Sequence, residues 1–527
     1  FFLYYKGLMG GPHHTPARQG GTGKARSPYS AKKYATAAAL FLLASLFLCS
    51  CSSRVSTDDI RSDLSGDHLA ALGEKMREAY EEHHELVLAL NWARTLQLQG
   101  RWRESITAYD YGINMLEEYE NRAIINVRGI LQGTGSILLS RGSREYFGTG
   151  YERSLLHTMN ALNYMMLGDF NGAAVEMRRM EIRQELWLAE EEQRIRKHLE
   201  ESEGRFDDNL NSLPAGYSMA SILNNPEVRA LASGYQDPFS YALSAITCRL
   251  SEDYQYAEVS LRRAAMLNEE ARELFTRAWN LPGKGKAGNE EWTPRIPKLP
   301  PVYTGSGPAG QPGKISPDAG SGRQEVTVIV LSGLAPALQM EQVRIPAPYI
   351  GYLMIDLPAY VSAVRPSSPD IGFFGPVLEA KEGERQPERS YRLLNTELLA
   401  YRVLRDEVRY EIGAAISRAL VRAAVSGGAY AAAKSNENTE AFAPLIGLFT
   451  SAIMDVFATT TSQSVRNWEM LPAAGYLCLG SVERGGSVRV GLGARESEVI
   501  LPPEARGVVI LVSQTTNATM RVDYVAY

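Results

Sequence analysis

The side chains in this chain of 527 residues that could do chemistry are four cysteines, seven histidines and a few clusters of carboxylates. Cys49 and Cys51 close the run Ala37–Cys51, AAALFLLASLFLCSC, which follows Lys32 and Lys33. A basic stretch, a short apolar core and a small residue before the cut mark a secretory signal. The apolar part is about 13 residues, short of the ~20 that span a bilayer. All seven histidines lie at or before His198, so the second half has no imidazole to act as a general base near neutrality. His83 and His84 stand among Glu81, Glu82 and Glu85. Neighbours on a helix point about 100° apart, unlike an i,i+4 metal pair, so this stretch reads as a solvated helix. Glu379, Glu382 and Glu384 have the residue type for glycan cleavage, which needs an acid and a base across one bond. They lie in EAKEGERQPER, which reads as a charged loop. No GxSxG, HExxH, EF-hand or paired-cysteine metal motif occurs. The sequence therefore predicts no catalytic residue, no metal and no cofactor.

The setting Leu48-Cys49-Ser50-Cys51 resembles the lipobox of bacterial lipoproteins. That resemblance implies cleavage between Ser50 and Cys51 and lipidation of Cys51. Cys49 is the poorer choice because Leu48 would stand directly before the cut. Several acyl chains on one cysteine hold a protein firmly to a membrane. Ser52, where an Asp would retain the protein in the inner membrane, implies an outer-membrane anchor with the globular part in the periplasm. Residues 1–50 are the expected signal and 51–67 the tether.

The elements behind these residues divide the chain in two. A net charge of −5 offers no basic patch for nucleic acid. Three segments read as helical hairpins, Leu86–Leu116, Ser154–Gln184 and Pro238–Asn268, and from Gly100 to Gly168 is 68 residues, twice a repeat period of about 34. They share a small residue in the first helix (Ala93, Ala161, Ala245), an aromatic after the turn (Trp102, Phe170, Tyr254) and a small residue in the second (Ser105, Ala173, Ala257). Small residues let paired helices approach. Gly100 and Gly168 occupy two of the turns, where a positive φ suits glycine, and Glu252 occupies the third. A degenerate hairpin is expected around 119–140. Glu176–Arg205, dense in mixed charge, reads as a solvated helix with i,i+4 pairs. Together these make residues 68–280 a tetratricopeptide (TPR)-like helical domain.

Residues 281–325 hold 17 Gly or Pro among 45 and read as a linker, with Pro297 and Pro300 in PxxP spacing. Beyond it, short apolar runs of period two give strands at Val326–Leu331, Tyr349–Ile355, Gly475–Leu479, Ser487–Leu492, Val508–Val512 and Met520–Val525. A long helix is expected from Leu394 to Val425, its stripe Leu394, Leu398, Tyr401, Val408, Ile412, Ala415 and Ala419 facing a sheet. Phe442–Ala458 reads as a second, buried helix. The predicted class is α+β multidomain: an all-α repeat array, then a mixed sheet-and-helix domain over 326–527. Residues about 68–275 should fold apart from 326–527. Cys248 and Cys478 fall in different halves and are expected to be free buried thiols.

Tyr151–Arg179, the GLAP segment Gly333–Pro336 leading to Val343–Pro346, Gln236–Leu243 and Val465–Pro472 together resemble an uncharacterised family of bacterial TPR-repeat-containing lipoproteins. The resemblance covers most of residues 60–527. It implies a lipid-anchored scaffold for protein–protein interaction, with a link to peptidoglycan synthesis, and it assigns no catalytic residue. In a TPR template the first helix of each repeat lines the groove. Here that selects Arg94, Gln97, Leu98, Met165, Met166 and Arg249 for an envelope protein or peptide partner. The competing expectation is an envelope hydrolase or glycan-binding protein acting through the second half.

Overall fold

Small side chains and left-handed turns shape the helical half. The structure, a computed structural model, describes residues 57–65, 68–126, 146–201, 213–281, 292, 294–300, 322–347, 351–361, 364–376, 386–425, 466–516 and 520–527. Ser50 and Cys51, the loop with Glu379, Glu382 and Glu384, the segment Phe442–Ala458 and most of the expected hairpin at 119–140 lie outside these residues. From Val55 onward the chain packs as one unit.

Helices α1 (Thr57–Ser65) and α2 (Leu69–His83) precede three hairpins. These are α3 (Leu86–Leu98) with α4 (Trp102–Asn126), α5 (Gly150–Met166) with α6 (Phe170–Glu201), and α9 (Pro238–Leu250) with α10 (Tyr254–Leu267). Two short helices, α7 (Ala220–Leu223) and α8 (Pro226–Ala230), lie before the third hairpin, and α11 (Glu269–Ala278) follows it. The three hairpin turns are alike. Gly100, Gly168 and Glu252 have φ of 75°, 74° and 62°. In each, that residue's N–H donates to the carbonyl three back (Gln97, Met165, Arg249), and the next N–H to the carbonyl five from it (Leu96, Tyr164, Cys248). Glu252 therefore makes the glycine turn despite its side chain. Ala93, Ala161, Ala245, Ser105, Ala173 and Ala257 are fully buried where the paired helices touch. Ser105 also donates to the Ala93 carbonyl at 2.7 Å.

The charged helix α6 departs from the expected solvated face at its start. Glu176 accepts from the His157 ring at 2.8 Å, and Glu181 accepts from Ser244 and from Arg263, all between helices. Both carboxylates are buried. Their charges are matched by neighbouring helices rather than by solvent.

The second half builds a five-stranded sheet in the order β11-β10-β1-β7-β6. The strands are β1 (Arg323–Ser332), β6 (Tyr391–Asn395), β7 (Ala474–Glu483), β10 (Gly507–Gln514) and β11 (Arg521–Ala526). β1 pairs in parallel with β10 and antiparallel with β7. Alternate residues of β1 enter different cores. Ile329 and Leu331 join the helices, while Val326, Val328 and Val330 face a second sheet. That double burial is why β1 and β10 read as continuous apolar runs. The second sheet, β5-β4-β8-β9, comprises β4 (Pro369–Phe374), β5 (Gln386–Glu388), β8 (Ser487–Leu492) and β9 (Arg495–Ile500). Helices, five-stranded sheet and four-stranded sheet thus form three layers. β7 shows how closely they meet: a Cβ on Gly475 would sit 2.9 Å from the Phe239 ring of α9.

A long hairpin, β2 (Ala337–Ala347) with β3 (Gly351–Val361), stands apart from both sheets. The expected long helix is α12 (Thr396–Val425). It packs on β3, not on the main sheet, with Tyr401 edge-on to Tyr360 at 5.9 Å. Of the stripe, Leu394 ends β6, Leu398 is half-buried and the other five are buried.

Candidate functional site

The first helices of the hairpins do not leave a groove open for a partner. Arg94, Gln97, Leu98, Met165, Met166 and Arg249 are at most 8% exposed, so the six nominated residues are corrected to interior positions. Neighbouring helices bury Gln97 and Met165, and the second half of the chain, whose core is continuous with that of the helices, covers Arg249. Thr95 reaches the Met470 sulfur at 3.6 Å, and Trp468 packs edge-on to Tyr109 with centroids 5.9 Å apart. The Trp468 backbone N–H donates to the Glu152 carboxylate of α5 at 2.6 Å.

Five of the six make the contacts below, and the sixth, Leu98, is buried at the end of α3. Arg94 donates to the Gln97 side chain, which in turn donates to the Met159 carbonyl at 2.7 Å and to Asn163 at 2.8 Å. Among the described residues the Arg94 guanidinium has no carboxylate partner, and burial lowers its pKa. Its Nε, the Tyr109 hydroxyl and the Trp468 indole N–H are buried without a hydrogen-bond partner. Met165 accepts a weak hydrogen bond from Thr247 at 3.5 Å, and Met166 is core. Arg249 is paired: it grips Glu325 of β1 with two bonds of 2.7 and 2.8 Å and donates to the Pro297 carbonyl at 2.8 Å. The expected linker is therefore partly laid down on the helices. Ile296 is buried there, and the Leu299 N–H donates to the Tyr254 hydroxyl at 3.3 Å.

Cys248 and Cys478 are free and buried. Burial pushes the Cys248 thiol up to about 12 and the Cys478 thiol higher than its ordinary value, so neither is a ready nucleophile. Among the described residues, no three His, Cys, Asp or Glu side chains gather as metal ligands. No helix there is long and apolar enough to cross a membrane.

One group of rings reaches the surface, with Tyr111 exposed and Tyr80 and Trp92 half-buried. Tyr80 of α2, Trp92 of α3 and Tyr111 of α4 lie nearly parallel, with centroids 5.5 to 6.2 Å apart, and Tyr111 is 41% exposed. His84 stands edge-on to Tyr80 at 5.5 Å, held there by its left-handed backbone (φ 49°) at the end of α2. Burial raises the Tyr80 pKa. α2, which carries Tyr80, also carries Glu74, Glu78, Glu81 and Glu82 with Lys75 and Arg77, and Arg77 pairs with Glu74 and Glu81. The sequence reading passed over these rings. The i,i+4 spacing of Tyr80 and His84 was the available signal, but nothing local brings Trp92 and Tyr111 to it.

No protein-family model matches this chain, and no curated protein or solved structure matches it.

Proposed function

We propose that this is a lipid-anchored protein of the cell envelope that acts by binding another protein, with a TPR-like array as its scaffold. The anchor reading rests on the Ala37–Cys51 signal and its resemblance to a lipobox. It places the globular part in the periplasm at the outer membrane, and the family resemblance links it to peptidoglycan synthesis. The single observation that carries the binding site is the aromatic patch of Tyr80, Trp92 and Tyr111. It remains accessible while the inner positions are covered. Stacked rings edged by glutamates suit a partner segment bearing Arg or Lys, since a cation over an exposed ring gains about 0.5–1 kcal/mol and the carboxylates add attraction at long range.

A photo-crosslinking residue at Tyr111 of the full chain in its membrane should capture an envelope protein through a basic segment. Replacing Tyr80 and Trp92 with Ala should abolish that capture. Capture from position 94 or 165 instead, with Tyr111 silent, would return the site to the inner face. Loss of fatty-acid labelling in Cys51→Ala checks the anchor separately.

A further inference from the structure

At the end of the main sheet that faces the helices, the residue types of β10 change. Val509 and Leu511 enter the helical core, but the next residues on that face are Ser513 and Thr515. Ser513 pairs in register with Arg521 of β11, so their side chains share that face. These three line an open cleft of about 270 Å³ together with Leu64 of α1, Leu69 of α2, Leu98 of α3 and Met520. Ser513 and Thr515 are 8% and 4% exposed, yet their hydroxyls have no hydrogen-bond partner among the described residues.

The charge of a fitting ligand follows from its neighbours. Arg521 is already spent on Asp523 through two bonds of 2.6 Å. Leu98 is the last residue of α3, so the cleft borders the carbonyl end of a helix, which repels anions. An anionic head therefore gains little, whereas a neutral head can both donate to and accept from the two hydroxyls. An apolar cavity of about 150 Å³ holds a benzene ring, so this one suits a chain of about six carbons with its head. We infer that the cleft binds a short acyl or alkyl chain carrying a neutral amide, ester or hydroxyl head. The apolar part lies against Leu64, Leu69, Leu98 and Met520, and the head bonds to Ser513 and Thr515. This inference does not depend on the aromatic patch or on the protein partner.

The test uses the full chain in membranes and a diazirine-bearing hexyl amide as photoprobe, with mass spectrometry to locate the label. Label should concentrate on the peptides containing Leu64, Leu98 and Met520, and excess N-hexylacetamide should compete it away. The matching carboxylate probe should label about tenfold less, in keeping with one lost favourable contact. Met520→Trp, at a half-buried rim position, should cut labelling at least about fivefold, and Ser513→Ala with Thr515→Val should narrow the gap between amide and carboxylate probes. Uncompeted or scattered label, equal label from the carboxylate, or label unchanged by Met520→Trp would each overturn the inference.

Discussion

Two buried arginines show how one residue type serves different ends. Arg249 is matched by Glu325 and by the carbonyls of Pro297 and Lys298. Arg94 has only an amide for a partner. A buried charge left without its counter-ion is costly, whereas exchanging a poorly matched one for an apolar side chain of similar volume is often neutral or stabilising. Arg249→Met should therefore lose about 3 kcal/mol, because it strands Glu325 and two carbonyls. Arg94→Met should fall within about 1 kcal/mol of the parent, since the stranded Gln97 oxygen offsets the removed desolvation cost. Urea denaturation of both variants checks this, and equal losses would mean that Arg94 is held as firmly as Arg249. From sequence the two were indistinguishable. Each sat near the end of the first helix of a hairpin, and only the chain folded over them separates one from the other.

At the scale of elements, much was legible. The helix hairpins announced themselves through Ala93, Ala161 and Ala245, and β8 was read to the residue. Glycine marked two turns, and the third was nearly missed because Glu252 takes the same left-handed conformation at a steric cost of about 1–2 kcal/mol. Strand β2 escaped notice because its apolar run is broken by Gln339, Glu341 and Arg344. The parallel pairing of β1 with β10, far apart in the chain, leaves no local trace. The start of α9 offers a test of element chemistry. Asp237 caps it by accepting from the Ser240 N–H at 2.7 Å. Burial pushes the Asp237 carboxyl up to about 6 despite hydrogen bonds from Ser240 and Phe239. A pKa raised in the folded state adds stability that is complete below the unfolded value near 4 and is lost as pH rises through about 6. Asp237→Asn keeps a capping oxygen but cannot titrate. The variant should therefore compare better with the parent at pH 7 than at pH 4, by about 2–3 kcal/mol. A difference that does not change with pH would show that the carboxyl is not held in its raised state.

For the whole molecule, the decisive fact is that the helical half shares its interior with the second half, which keeps a further core only between its two sheets. The Gly- and Pro-rich stretch marks a change in pattern, from helical hairpins to strands, and the order helical half then sheet half stands. Yet one core runs from Leu72 and Leu90 through Leu155, Phe239 and Phe275 to Ile329, Leu394, Trp468 and Leu511. Composition announces where a chain stops repeating; it does not announce whether the parts then bury their faces in each other. The helical array resembles a receptor that has folded around its own tail, which is why Arg249 among the nominated groove residues is interior. Separate expression of residues 57–281 would expose Phe239, Met165 and the apolar flank of Arg249 to water. Area of that kind favours association at about 25 cal/mol per Å². A protease site placed after residue 310 of the full chain tests the point. After cleavage the two fragments should still elute together in gel filtration and unfold in one transition at nearly the parent midpoint. Joining the halves by a covalent link rather than by a core alters mainly the entropy of assembly. Residues 57–281 expressed alone should aggregate or unfold without cooperativity. Clean separation of the cut fragments at micromolar concentration, with each unfolding cooperatively, would restore two independent domains and reopen the inner face of the helices to a partner.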